Sequence, residues 1–125
     1  MKTLAVDYHK NGYNCSQCIL RALEDKFDIE ISEECYNLTR GINEGFGIGA
    51  TCSLIIAGTM AFGLFFDDNT VKSLRLKLID YVNENYGVLD CGKLKRCDKI
   101  GEGCLILVGD VANYIEKLIL EELGI

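Results

Sequence analysis

The sequence contains no proline, a single histidine and no long apolar run, and each shortage narrows what the protein can be. Proline interrupts helices, so its absence, together with apolar residues at helical spacing, predicts an all-α fold. The lone histidine, His9, has no serine placed to act with it, which gives poor support to a hydrolytic triad, and we expect a solvated or capping role for it. The longest apolar stretch, 51–66, is shorter than the ~20 residues that a membrane-spanning helix needs. It predicts a helix buried in a globular protein, without membrane association.

Positive charge is also scarce in this chain. The net charge is −6, the isoelectric point is near 4.7, and no basic run is longer than Lys93-x-Lys95-Arg96. Phosphate binding needs a basic footprint, so nucleic acid is excluded as a partner. The N-terminal residues have neither the apolar core nor the small-residue cleavage site of a signal peptide, and we expect a cytoplasmic protein. In that reducing compartment, cysteine-rich chains use thiols for metals or redox chemistry more often than for permanent crosslinks.

Three cofactor signatures are missing as well. Covalent attachment of c-type haem needs a histidine directly after the second cysteine of a CxxC pair, and Ile19 stands there. The glycine-rich stretch 41–49 is not followed by the GK[ST] of a phosphate-binding loop, and no convincing strand precedes it as in a dinucleotide-binding motif. The stretch therefore predicts a loop whose backbone turns tightly. The cysteine after it is either a reactive or ligating thiolate or a simply buried side chain.

What the sequence does contain is seven cysteines in 125 residues. Several of them directly follow a residue that is common at helix N-caps, namely Asn, Thr, Asp or Gly. A cysteine in the first helical turn faces unpaired backbone N–H groups and the positive end of the helix dipole, which favour thiolate over thiol. The thiolate is both the nucleophile of disulfide exchange and the form that ligates metals. The candidates for a redox or metal site are Cys15, Cys52, Cys91 and Cys104.

The remaining cysteines are weaker candidates. Cys18 completes a CxxC pair with Cys15, in which a second thiol can resolve a mixed disulfide. It also lies on the apolar face of its helix, where packing is an equally good interpretation. Cys97 is the other secondary candidate, and the spacings of the last three cysteines do not match the CxxC units of structural zinc sites. Cys35, on a polar helix, is expected to be an incidental packing or surface thiol.

Helical periodicity predicts one domain, residues 1–125, built as a bundle of about five to six helices. The apolar helix 51–66 is expected at its centre, preceded by the glycine loop and followed by a helix that Asn69 or Thr70 caps and Gly87 ends. Small residues along the central helix permit a close helix neighbour, and also a homodimer, without requiring one. The other predicted helices are a short first helix ending near Gly12, then 15–27, 33–39 and about 104–123.

The segment 12–17, with the sequence GYNCSQ, resembles the opening signature of the redox-active protein family named for its C_GCAxxG_C_C cysteine pattern. The resemblance extends through the glycine loop, the apolar helix after it and the C-terminal cysteine helix. It implies a helical domain with a redox role, and it assigns the family's four cysteines to the same four positions that the capping pattern selects. The departures are at Thr51, Ser53 and Leu54, where the family has glycine and alanine neighbours.

Three interpretations of these cysteines stay open at this point. In the first, Cys15 or Cys52 attacks a disulfide of an unidentified redox partner, and a neighbouring thiol then resolves the mixed disulfide. In the second, a four-thiolate ligand set binds zinc, copper(I) or an iron–sulfur cluster, and its members are Cys15, Cys52, Cys91 and Cys104. Thiolate ligands bind all three, so the ligand type does not identify the metal. In the third, the protein is a structural or interaction domain whose cysteines pack. No general acid or base stands out, so the sequence assigns no enzyme class.

Overall fold

The structure is a computed structural model that describes residues 1–91, 94 and 105–124, and over these ranges the chain is all-α, as predicted. The described part contains no named strand, only an isolated antiparallel bridge between Thr51 and Asp90. None of its helices is long and apolar enough to cross a lipid bilayer. The helices are α1 (Lys2–Lys10), α2 (Cys15–Phe27), α3 (Glu33–Leu38), α4 (Ser53–Phe62), α5 (Asp68–Tyr86) and α6 (Leu105–Leu123), with a π-helical turn at Gly45–Gly49.

Side-chain caps explain where the helices begin. The side chain of Asn14 accepts a hydrogen bond from the Gln17 N–H at the start of α2, and Ser32 caps α3 in the same way. The prediction that Asn69 or Thr70 caps α5 is wrong, because Asp67 holds that position and accepts from the Thr70 N–H at 2.9 Å. Hydrogen bonds from Thr70 lower the pKa of the Asp67 carboxyl, as expected for a charged cap.

Helix α4 begins two residues later than predicted, because Thr51 takes part in the bridge to Asp90. It contacts α2, α5 and α6. At Gly58, a Cβ atom would lie 2.7 Å from the side chain of Ile115 and 2.8 Å from that of Leu78. This glycine therefore lets α5 and α6 pack closely against α4. These contacts favour the predicted bundle around α4, and the arrangement itself stays a prediction.

The backbone of the glycine-rich stretch turns tightly, as the sequence predicts, and it does so through a π-helical turn at Gly45–Gly49. Four consecutive residues, Glu44, Gly45, Phe46 and Gly47, have φ between 58° and 76°, which makes one turn of left-handed backbone. The Ala50 N–H closes this turn by donating to the Gly45 carbonyl at 3.0 Å. Left-handed backbone costs about 1–2 kcal/mol for a residue with a side chain, so Glu44 and Phe46 are strained while the glycines are not.

Candidate functional site

Cys15 is the first residue of α2 and is half-buried. The predicted cap at Asn14 is present, but two of the N–H groups expected to face the thiol are already occupied. The Gln17 N–H donates to Asn14 Oδ1 at 2.9 Å, and the Ser16 N–H donates to Asn43 Oδ1 at 3.3 Å. The favourable effect on a Cys15 thiolate therefore comes mainly from the dipole of α2.

Cys52 occupies the N-cap position of α4 itself, with φ −59° and ψ 129°, so the expectation that Thr51 caps this helix is wrong. Its side chain is 4% exposed, and its N–H donates to the Leu89 carbonyl at 3.0 Å. An N-cap side chain can accept hydrogen bonds from the first helical turn, and a thiolate is a much stronger acceptor than a thiol, but Cys52 makes no such capping bond with the described residues of this structure. Burial opposes the charge of such a thiolate.

A short piece of antiparallel pairing brings Cys52 and Cys91 to one place. The Cys91 N–H donates to the Ala50 carbonyl at 2.6 Å, which completes the pair of hydrogen bonds around the bridge of Thr51 and Asp90. The residues that follow the two bridge partners, Cys52 and Cys91, are therefore held in the same part of the fold.

Asp90 starts a helical turn, as predicted, since the Leu94 N–H donates to its carbonyl at 2.9 Å. Cys91 is the first residue of that turn and is 8% exposed.

Cys15 and Cys52 lie at the same end of a helix pair. Helices α2 and α4 pack side by side, and the Phe27 ring at the end of α2 meets the Phe65 ring beyond α4 at 5.3 Å between centroids. From these rings back to the cysteines, each segment is ~18–20 Å long at about 1.5 Å per residue. Cys15 and Cys52 therefore lie toward the same end of the helix pair, and on that side the Ser16–Asn43 hydrogen bonds hold the segment before the glycine turn to the start of α2.

Cys18 and Cys35 have different environments from this group. Cys18 is fully buried, its thiol donates to the Tyr13 carbonyl at 3.5 Å, and burial raises its pKa to about 12. This favours the packing interpretation of Cys18, because a nucleophile needs the thiolate. Cys35 is exposed on α3, where the Ser32 hydroxyl donates to its sulfur at 3.3 Å, in agreement with a surface thiol.

The raised pKa of Cys18 makes stability fall in alkaline solution. An unfolded cysteine ionises near pH 8.5, whereas the folded thiol stays protonated to about pH 12, so unfolding releases a proton between these values. Between about pH 8.5 and 9.5 we expect wild type to lose about 1 kcal/mol more unfolding free energy than Cys18→Ala, measured by urea denaturation. A Cys18→Ala variant with an unchanged slope would contradict the assignment.

Cys97 and Cys104 lie outside the described residues, so the structure does not place them. Within residues 1–91, 94 and 105–124, no group of three or more His, Cys, Asp and Glu side chains could hold a metal ion. Cys15, Cys52 and Cys91 therefore do not form such a group among themselves, Cys104 lies outside the described residues, and the metal or iron–sulfur interpretation stays a prediction.

Sequence reasoning missed two features of the described residues, one at the candidate site and one in α1. Asn43, between α3 and the glycine turn, joins that segment to the start of α2, and nothing in the sequence pattern distinguishes it from an ordinary loop asparagine. His9 was expected to be solvated or capping, but its Nδ1 is buried and has no hydrogen-bond partner among the described residues. The burial of this nitrogen could not be read from a single histidine on a short helix.

A family model with the description "Putative redox-active protein (C_GCAxxG_C_C)" matches residues 13–118. The matched range contains every cysteine of the chain. The match confirms, over most of the chain, the family resemblance that the sequence indicates. No curated protein and no solved structure gives a match.

Proposed function

The chain belongs to the redox-active C_GCAxxG_C_C family, and from this premise we propose that it exchanges thiols with disulfides through Cys15 and Cys52. Cys91 and Cys104 are candidate members of the same set. The family supplies the redox character, and the choice of thiol–disulfide exchange is our own inference from the site. The proposal assumes the reducing cytoplasm that the sequence predicts, in which the protein starts as the thiol form.

The observation that supports the proposal is the shared end of α2 and α4. Two sulfurs that are 37 positions apart in the sequence begin neighbouring helices, with Cys91 joined to Cys52 through the bridge. Exchange needs an accessible attacking thiol and a second thiol within reach. Cys15 is the more exposed of the two, whereas Cys52 is buried, so we assign the attack to Cys15 and the resolving step to Cys52.

The proposed reaction balances as two thiol–disulfide exchanges. The Cys15 thiolate attacks one sulfur of the partner's disulfide, forming a mixed disulfide and releasing one partner thiolate, which takes up a proton. The Cys52 thiolate then attacks the Cys15 sulfur and releases the second partner thiolate. The protein loses two electrons and gains a Cys15–Cys52 bond, and the partner gains two electrons and two protons. The reverse sequence oxidises a partner dithiol.

The direct test is to map disulfides after equilibration with oxidised and reduced glutathione. Free thiols are blocked with one alkylating reagent, disulfides are reduced, and the released thiols are labelled with a second reagent before peptide mass spectrometry. We expect the second label on Cys15 and Cys52, and its disappearance when dithiothreitol is added first. Cys35, the exposed thiol outside the site, serves as the internal control and should carry no intramolecular disulfide. Absence of a reversible bond at Cys15 at every glutathione ratio would overturn the proposal.

A further inference from the structure

The amide of Asn43 connects the helix that carries Cys15 to the segment that leads to Cys52. Its Oδ1 accepts from the Ser16 N–H at 3.3 Å and lies 2.8 Å from the Ser16 hydroxyl, while its Nδ2 donates to the Thr39 carbonyl at 3.2 Å. Ser16 is fully buried, so its hydroxyl needs a protein partner. Asn14 Oδ1 is the alternative acceptor for that hydroxyl, at 3.0 Å. One asparagine thus ties the first turn of α2 to the residue that precedes the left-handed turn.

The hydrogen bonds of Asn43 also hold one side of the strained left-handed turn. Glu44 and Phe46 hold positive φ values of 58° and 61° although neither is glycine. Such strain persists only where the surrounding structure fixes the backbone on both sides. On the far side, the turn is fixed by the Ala50 N–H bond to Gly45 and by the bridge beyond it. On the near side, the side-chain hydrogen bonds of Asn43 hold it to α2 and to the end of α3.

We propose that Asn43 is a positioning residue, which sets the distance and orientation between Cys15 and Cys52 for disulfide formation. This inference rests on the proposed thiol–disulfide function and assigns Asn43 no contact with the partner. Without its amide, the segment 43–50 gains freedom relative to α2, and the effective concentration of one thiol at the other falls. The consequence is a change in the thiol–disulfide equilibrium, which a residue that only supported the fold would not produce.

The test compares equilibrium constants for the intramolecular disulfide in glutathione buffers. We expect Asn43→Ala to lower the constant about 10-fold, equivalent to about 30 mV for a two-electron couple. Ser16→Ala removes the other side of the same contact and should give a similar decrease, and the double variant should show less than the sum of the two. Asn43→Asp keeps the acceptor oxygens for Ser16 and should return most of the wild-type value.

The matched control is Asn11→Ala, because the Asn11 Nδ2 donates to the Asp7 carbonyl at 2.8 Å, four residues back, as the Asn43 Nδ2 does to Thr39. It should leave the equilibrium constant unchanged, and thermal unfolding of each variant reports stability separately. Wild-type constants in both Asn43→Ala and Ser16→Ala would overturn the inference, as would an equal decrease in Asn11→Ala. Failure of the wild type to form any Cys15 disulfide overturns the proposed function instead.

Discussion

Replacing Cys52 by serine should turn a short-lived mixed disulfide on Cys15 into a species that accumulates. In the wild type, the resolving thiol acts from the same molecule, with an effective concentration on the order of millimolar or higher. Serine cannot attack the Cys15 sulfur, so the mixed disulfide persists until an external thiol removes it. We expect its lifetime at micromolar thiol to increase about 100-fold, measured by intact mass as the increment of one glutathione.

Three further variants make this result specific. Cys15→Ser should form no such adduct, and Cys35→Ser should leave the lifetime at the wild-type value because Cys35 is exposed on α3 outside the site. If Cys91→Ser traps the adduct and Cys52→Ser does not, Cys91 is the resolving thiol and our assignment of Cys52 is wrong. The bridge between Thr51 and Asp90 holds Cys52 and Cys91 in the same part of the fold, so the comparison of their two variants shows which thiol resolves the mixed disulfide.

The helices could be predicted because their signal is local. Leu74, Leu78 and Val82 repeat at helical spacing on α5 and are buried. Ser32 before α3 is a polar residue next to an obvious helix start, and it is the cap. The start of α5 was misjudged because four capping residues follow one another in 67–70, and propensity alone does not rank them. Only the backbone shows that Asp67 has the extended conformation of an N-cap.

The candidate site could be predicted only in part, because its geometry depends on contacts that are distant in sequence. The cysteine positions follow from the capping pattern and the family resemblance. The neighbourhood of Cys52 and Cys91, however, comes from one bridge between Thr51 and Asp90, which has no periodic signal. The Ser16–Asn43 contact spans 27 residues and changes the expected environment of Cys15, and no local rule indicates it. Fold class is encoded in repeating patterns, whereas the site depends on single pairings.

Substituting Gly45 by alanine should be among the most destabilising single changes in the turn that precedes Cys52. Gly45 has φ +60°, and a Cβ atom there would overlap the backbone N and O of Ala50. Left-handed backbone costs alanine about 1–2 kcal/mol, and relief of the overlap adds about 1–3 kcal/mol because backbone atoms must move. From these two costs we expect the unfolding free energy from urea denaturation to fall by about 3 kcal/mol. The Cys15–Cys52 equilibrium constant should fall with it, because the Ala50 N–H bond to Gly45 is lost.

The same turn provides two matched controls for this prediction. Gly47 has φ +76° but nothing within 4 Å of the position that a Cβ atom would take, so Gly47→Ala should cost only the conformational part, about 1–2 kcal/mol. Phe46→Gly relieves a strained residue that is half exposed, and we expect it to raise stability by up to about 1 kcal/mol. The difference between Gly45→Ala and Gly47→Ala isolates the overlap with Ala50. Equal losses in the two variants would mean that segment 45–50 does not close as the structure has it, and the path from Asn43 to Cys52 would need a different geometry.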